Sequence, residues 1–247
     1  MPVTGLALLL TAAAAAAPVP ARTRAAPPPP APRTVVFKTR DGWTLDALYR
    51  PARRGRATVI LAHGVGSSKS EWAPLTGLLA KAGVGTLALD LRGHAGSQAG
   101  PDGPRSYQTF DADGEWGRAV EDLDAAARWL KARGVPAARI GFGGASIGAN
   151  LAAAAAVRDR AAPFLLLLSP GPDYRGVRLT LRPGLPTLIG AAPTDPYADA
   201  VLKPASEVPG VRTFSAPAGH GVQMFADARA LRLVASWVER EAAPRSR

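Results

Sequence analysis

The segment Gly144-Ala145-Ser146-Ile147-Gly148 places a hydroxyl between small residues two positions before and two positions after it. It follows the short apolar run Arg139-Ile140-Gly141-Phe142-Gly143 and opens an alanine-rich stretch from Ala149 to Val157. Strand, tight turn and helix, in that order, are the setting of the G-x-S-x-G nucleophile elbow. The serine of such an elbow occupies a strained turn so that its hydroxyl stands clear of the backbone, and a side chain at either glycine would crowd the bend. The same five residues also describe a glycine-rich turn that caps a helix, so the context has to decide. A serine hydroxyl is a poor nucleophile at neutral pH. It needs an imidazole to take its proton and a carboxylate to orient that imidazole.

Partners for Ser146 must be delivered by the elements around it. Thr34 to Thr39 and Trp43 to Tyr49 are β-rich runs joined through Arg40-Asp41-Gly42, whose Asp-Gly pair signals a hairpin at one sheet edge. Unbroken apolar runs follow at Thr58 to Ala62, Val84 to Leu89, Arg139 to Phe142, Phe164 to Leu168, Thr187 to Gly190 and Val211 to Ser215. Helical patterns lie between them at Glu71 to Ala82, Gly114 to Arg133, Ile147 to Val157 and Asp227 to Arg240. Strands buried on both faces read as continuous apolar runs, and their alternation with helices predicts an α/β fold with a mainly parallel sheet covered on both sides. A chain of 247 residues suits one such domain, here expected over 34–241 with a short tail at 242–247. Working residues of these sheets collect at the carboxyl ends of the strands. Four motifs sit there: His63-Gly64-Val65-Gly66-Ser67-Ser68, Asp90-Leu91-Arg92-Gly93-His94-Ala95-Gly96-Ser97, the Ser146 segment, and the region from Asp195 to His220.

Taken together, these motifs resemble the α/β-hydrolase superfamily over nearly all of residues 34–241, and they occur in the family's order. The segments Leu168-Ser169-Pro170-Gly171-Pro172-Asp173-Tyr174 and Gly219-His220-Gly221-Val222-Gln223-Met224-Phe225 further resemble bacterial esterase-like members. The family order of serine, acid and histidine makes His220 the candidate base, because no other histidine follows Ser146. Otherwise His220 is a turn histidine between two glycines. For the acid the resemblance favours Asp195, a few residues beyond the Thr187 strand. Asp199 and Asp173 stay open as alternatives, and any of the three has a plain reading as a loop-capping aspartate. Two backbone amides are implied as the oxyanion hole, Ile147 directly after the serine and Val65 in the His63 loop. By the same resemblance His63 and His94 shape loops. Trp72 and Trp116 stay unassigned between pocket lining and core, the core being the commoner place for aromatics near helices.

Composition narrows the alternatives. Cysteine is absent, which excludes disulfides, thiolate metal sites and a cysteine nucleophile. The three histidines stand in separate motifs without H-E-x-x-H spacing, so neither a metal nor a cofactor is expected. No G-x-G-x-x-G or Walker-type loop follows the first parallel strand, which disfavours nucleotide binding. The net charge of +11 comes from scattered arginines rather than from basic runs interleaved with aromatics, so nucleic acid is not an expected partner. It describes a basic surface that attracts acidic substrates or anionic membranes, or simply a bias towards arginine.

At the front, Leu6 to Ala17 is an apolar run of signal-peptide length, followed by small residues at Val19-Pro20-Ala21 and Thr23-Arg24-Ala25 that suit cleavage. Residues 1–21 are therefore expected to be an export signal, leaving no stable membrane span after cleavage, and 22–33 a proline-rich tether. The short stretch between Leu168 and Thr187 leaves no room for a large lid, while Ala95 to Asp113 is expected to overhang the site as a mobile loop. The sequence thus predicts an exported serine hydrolase that cleaves small-molecule carboxylic esters. A peptidase, amidase or thioesterase on the same residues, and a non-catalytic binding protein of the same fold, are the alternatives. Oligomeric state is not specified.

Overall fold

The computed structural model describes residues 1–2, 29–112 and 114–244. The expected export signal and most of the proline-rich tether fall outside the described residues. The strands are β1 (Arg33–Lys38), β2 (Thr44–Arg50), β3 (Thr58–Ala62), β4 (Gly85–Leu89), β5 (Ala99–Gly100), β6 (Gly103–Pro104), β7 (Ile140–Ala145), β8 (Leu165–Leu168), β9 (Asp173–Tyr174), β10 (Val177–Arg178), β11 (Thr187–Ala191) and β12 (Val211–Ser215). The α-helices are α1 (Ala73–Lys81), α2 (Glu115–Arg118), α3 (Val120–Lys131), α4 (Ile147–Arg158), α5 (Pro196–Ser206) and α6 (Ala228–Glu241).

Among the described residues the main sheet runs β12-β11-β8-β7-β3-β4-β2-β5-β6, with β1 paired to β2. From β12 to β4 every pairing is parallel; β2 meets β4 and β1 antiparallel, as the Asp-Gly hairpin predicts. Strands β3, β4, β7, β8 and β11 are buried at every position, which is why they read as unbroken apolar runs. Alternate residues divide between two cores. Ile60, Leu87 and Phe142 pack with Leu123, Leu130 and Leu151 of α3 and α4 on one face. Val59, Leu61 and Leu166 pack with Leu75, Val234 and Trp237 of α1 and α6 on the other. In α6 the buried residues Ala230, Val234, Trp237 and Val238 recur at helical spacing and give the helix its inward stripe. Trp72 and Trp116, left unassigned by the sequence, are both buried in the core.

Four local features differ from the sequence expectation. The Glu71 to Ala82 helix begins as a tight 3-10 turn over Lys69–Trp72, and the Gly114 to Arg133 helix is broken at Ala119 into α2 and α3. Helix α5 was not expected, although its start is written in Asp195 as N-cap and Pro196 just inside and it buries Ala198, Val201 and Ala205 at helical spacing; Pro204 interrupts the pattern near its end. The expected mobile loop from Ala95 is instead folded into the β5–β6 hairpin and a 3-10 turn over Tyr107–Ala112. It is pinned by Tyr107 stacked on His94, with ring centroids 4.0 Å apart, and by an Asp111–Arg175 ion pair.

Candidate active site

Ser146 sits between β7 and α4 with φ 56° and ψ −128°, a conformation that L-residues avoid. The strain is held from both sides. The Ser146 N–H donates to the Leu168 carbonyl at 2.9 Å, and the turn is pressed so tightly on β3 that a Cβ at Gly148 would stand 2.4 Å from the Ala62 oxygen and 2.5 Å from the His63 oxygen. The glycine two residues after the serine is therefore a packing requirement, as the sequence pattern implies.

His220 and Asp195 meet. The imidazole Nδ1 lies 2.6 Å from Asp195 Oδ2, with His220 40% exposed and Asp195 12% exposed. A carboxylate at that distance fixes the ring with its proton on Nδ1 and leaves Nε2 as the acceptor. Asp195 is also the N-cap of α5, its Oδ1 accepting the Ala198 N–H at 3.4 Å, so the helix start aims the carboxylate. The histidine loop is tied down at three points. The Gly219 N–H donates to Thr194 Oγ1 at 3.1 Å, the His220 N–H to Gln223 Oε1 at 3.2 Å, and the Gly221 N–H to Ser169 Oγ at 2.8 Å. Gly221 packs against the elbow, where a Cβ would lie 3.1 Å from Ala145 Cβ, and this brings the histidine loop to the serine. Of the other two candidate acids, Asp173 accepts the Gly176 N–H at 2.8 Å and faces Arg178, and Asp199 lies in the first turn of α5. The residue paired with the imidazole is Asp195.

The loop after β3 closes the opposite side. Gly64, next in the chain to Val65, lies so near the elbow that a Cβ there would be 3.2 Å from Ser146 Cβ. Ile147 is the first residue of α4, so its N–H has no carbonyl within its own helix to reach. Ile147 directly follows Ser146, and the loop that carries Val65 packs on the elbow through Gly64. His63 is fully buried, its Nε2 accepting the Leu91 N–H at 3.0 Å and its Nδ1–H donating to the Gly64 carbonyl at 2.7 Å. Burial and the neighbouring His94 push its pKa down to about 4, so the ring is neutral and braces the loop. His94 is buried as well, its pKa lowered by desolvation. Glu71 accepts from the Ser67 hydroxyl at 2.5 Å; burial raises its carboxyl above the ordinary range.

Sequence reasoning missed three residues at this edge. Ser169, one position beyond β8, is buried with φ 49°; its N–H donates to the Gly190 carbonyl at 2.7 Å and its hydroxyl holds the histidine loop. Asn150 is buried in α4 and holds the segment beyond β8, donating to the Gly171 and Val177 carbonyls at 2.8 Å each and accepting the Gly171 N–H at 3.3 Å. Tyr174, held in the β9–β10 hairpin, meets the His220 ring edge-on with centroids 6.4 Å apart. The available signal was position: Ser169 follows a buried strand at its carboxyl end, as His63, Asp90 and Ser146 do.

A parallel sheet covered by helices on both faces, with a strained serine at a strand-to-helix turn and a carboxylate-bound imidazole from the last two strands, defines a hydrolase-type α/β architecture. The chain belongs to the alpha/beta hydrolase family, whose model matches residues 59–247. Among solved structures it is similar to an esterase from Pyrococcus furiosus, with a TM-score of 0.66 and 18% identity over 86% of this chain and 93% of that one. It is also similar to a thermophilic carboxylesterase cloned from a metagenomic library (TM-score 0.63, 20% identity, 88% of this chain and 91% of that one). A third is the dienelactone hydrolase of Anabaena variabilis, with a TM-score of 0.60 and 20% identity over 85% of this chain and 96% of that one. At these identities the likeness carries the fold. No curated protein matches the chain by sequence.

Proposed function

We propose that this protein is a serine hydrolase that cleaves carboxylic esters through an acyl-enzyme intermediate. The observation that carries the reading is the His220 Nδ1 to Asp195 Oδ2 contact of 2.6 Å, beside a serine held at φ 56° on the elbow. In this reading Asp195 holds the ring so that Nε2 takes the Ser146 proton as Oγ attacks the ester carbonyl. The carbonyl oxygen becomes an oxyanion and accepts from the Val65 and Ile147 amides. His220 then gives its proton to the departing alcohol, and a water activated by the same nitrogen releases the acid. The choice of esters is supported by esterases among the structural neighbours and by an open site: His220 is 40% exposed, and only the short β9–β10 hairpin stands between β8 and β11.

Ser146→Ala should abolish turnover of a short-chain chromogenic ester. A fluorophosphonate probe should label the wild type at Ser146 and leave the variant unlabelled. Retained turnover in Ser146→Ala, or a probe mapped to another residue, would reject the assignment. A parallel panel of thioester and aminoacyl substrates separates an esterase from a thioesterase or peptidase.

A further inference from the structure

The β9–β10 hairpin brings to the site a hydroxyl that the serine, histidine, aspartate and amides do not account for. Strand order places it. Ser146 follows β7; the Val65 loop follows β3 on one side of it, and the Tyr174 hairpin follows β8 on the other, with Asp195 and His220 arriving from β11 and β12 beyond. Tyr174 therefore stands on the histidine side of the serine, opposite the Val65 amide. If the ester carbonyl oxygen turns towards Val65 and Ile147, the departing oxygen turns towards His220 and Tyr174.

The ring is built into place. It packs over Gly171, where a Cβ would lie 2.8 Å from the ring, and meets Tyr197 edge-on with centroids 5.3 Å apart. Asn150 clamps the hairpin's approach and return from within α4, and Arg175, next in sequence, pairs with Asp111. The Tyr174 hydroxyl donates to the Ser169 carbonyl at 3.3 Å, long for an O–H···O bond, so it is weakly committed to that partner. Burial and the Asp195 charge push the Tyr174 pKa up to about 12, so the group is a neutral donor at neutral pH.

Resting on the serine-hydrolase reading, we infer that Tyr174 is a further catalytic residue, whose hydroxyl turns from the Ser169 carbonyl to donate a hydrogen bond to the departing alcohol oxygen of the ester. As the C–O bond of the tetrahedral intermediate breaks, its electron pair moves onto that oxygen and the proton comes from His220 Nε2. Tyr174 keeps its own proton throughout. The benefit scales with the negative charge developing on the departing oxygen. It is large for poorly stabilised alkoxides and small for activated phenols, which makes Tyr174 a selector for ordinary alkyl esters.

The test is Tyr174→Phe, which retains the ring and its packing, measured as kcat/KM over acetate esters from p-nitrophenyl to benzyl and ethyl. The variant should lose about tenfold on the alkyl esters and less than about twofold on the p-nitrophenyl ester, the size expected for one lost hydrogen bond. Equal losses along the series would assign the residue a packing role and overturn the inference, as would no loss on any ester. Fluorophosphonate labelling of both proteins separates this result from failure of the wider reading. If the wild type is not labelled at Ser146, the serine-hydrolase reading itself falls. If both proteins label and the leaving-group dependence is unchanged, only the Tyr174 inference falls.

Discussion

Acid should destabilise this protein through His63, and the size of the effect follows from its surroundings. The ring accepts the Leu91 N–H at Nε2 and donates from Nδ1 to the Gly64 carbonyl, so a second proton would face an N–H with nowhere to go. With burial as the main cause, the folded pKa falls from 6.5 to about 4. Between these two values the unfolded chain binds a proton that the folded chain refuses. The stabilisation is therefore complete above the unfolded pKa and drains away as the pH falls towards the folded one. The interval from 6.5 to about 4, at about 1.4 kcal/mol per decade of proton concentration, amounts to about 3 kcal/mol. His94, depressed in the same direction, adds in the same sense. Urea unfolding of the wild type and of His63→Gln, over a range from about pH 7.5 to pH 4.5, isolates the His63 share. Glutamine offers Leu91 an acceptor but cannot titrate, so the variant's stability should fall less across this range, by about 2.5 kcal/mol, because the range stops short of the folded pKa. Parallel curves for the two proteins, or a folded-state titration of His63 by NMR near its unfolded value, would refute the reasoning.

Two further outcomes test the site and the elbow. Asp195→Asn should lower kcat by about 10⁴-fold, because the amide favours the wrong imidazole tautomer. Asp173→Asn and Asp199→Asn should leave kcat nearly unchanged; an equal loss in either would move the acid role to that residue. Gly148→Ala should cost about 2 kcal/mol in urea unfolding, because the added methyl meets the Ala62 and His63 carbonyl oxygens at 2.4 and 2.5 Å and neither belongs to a movable side chain. Wild-type stability in that variant would show that the turn has room to spare.

Much of the architecture was legible because burial on both faces writes itself directly into sequence. Strands β3, β4, β8 and β11 are the apolar runs, and α6 shows its inward stripe as a helical period. The elbow was legible because its two small positions are steric requirements of one local turn. Helix α5 was obscured by Pro204 in its interior, although Asp195 and Pro196 mark its start and Ala198, Val201 and Ala205 form its buried stripe. The β5–β6 and β9–β10 hairpins are two-residue ladders, too short for alternation to register, and they owe their shape to contacts with distant partners such as Asn150.

By itself the sequence determined a covered parallel sheet, a serine at its carboxyl edge and one histidine following it. Those are properties of local pattern: period, steric need and residue count. The sequence favoured Asp195, by its place after the Thr187 strand and before Pro196, but left Asp173 and Asp199 open; which aspartate faces the imidazole was a tertiary decision. Asp195 alone caps a helix whose start points its carboxylate across 25 residues of intervening chain to His220. Tyr174 and Ser169 came to the site in the same way, through the neighbour order of strands that are distant in sequence. That order is set by packing the whole sheet and not by any one segment of it.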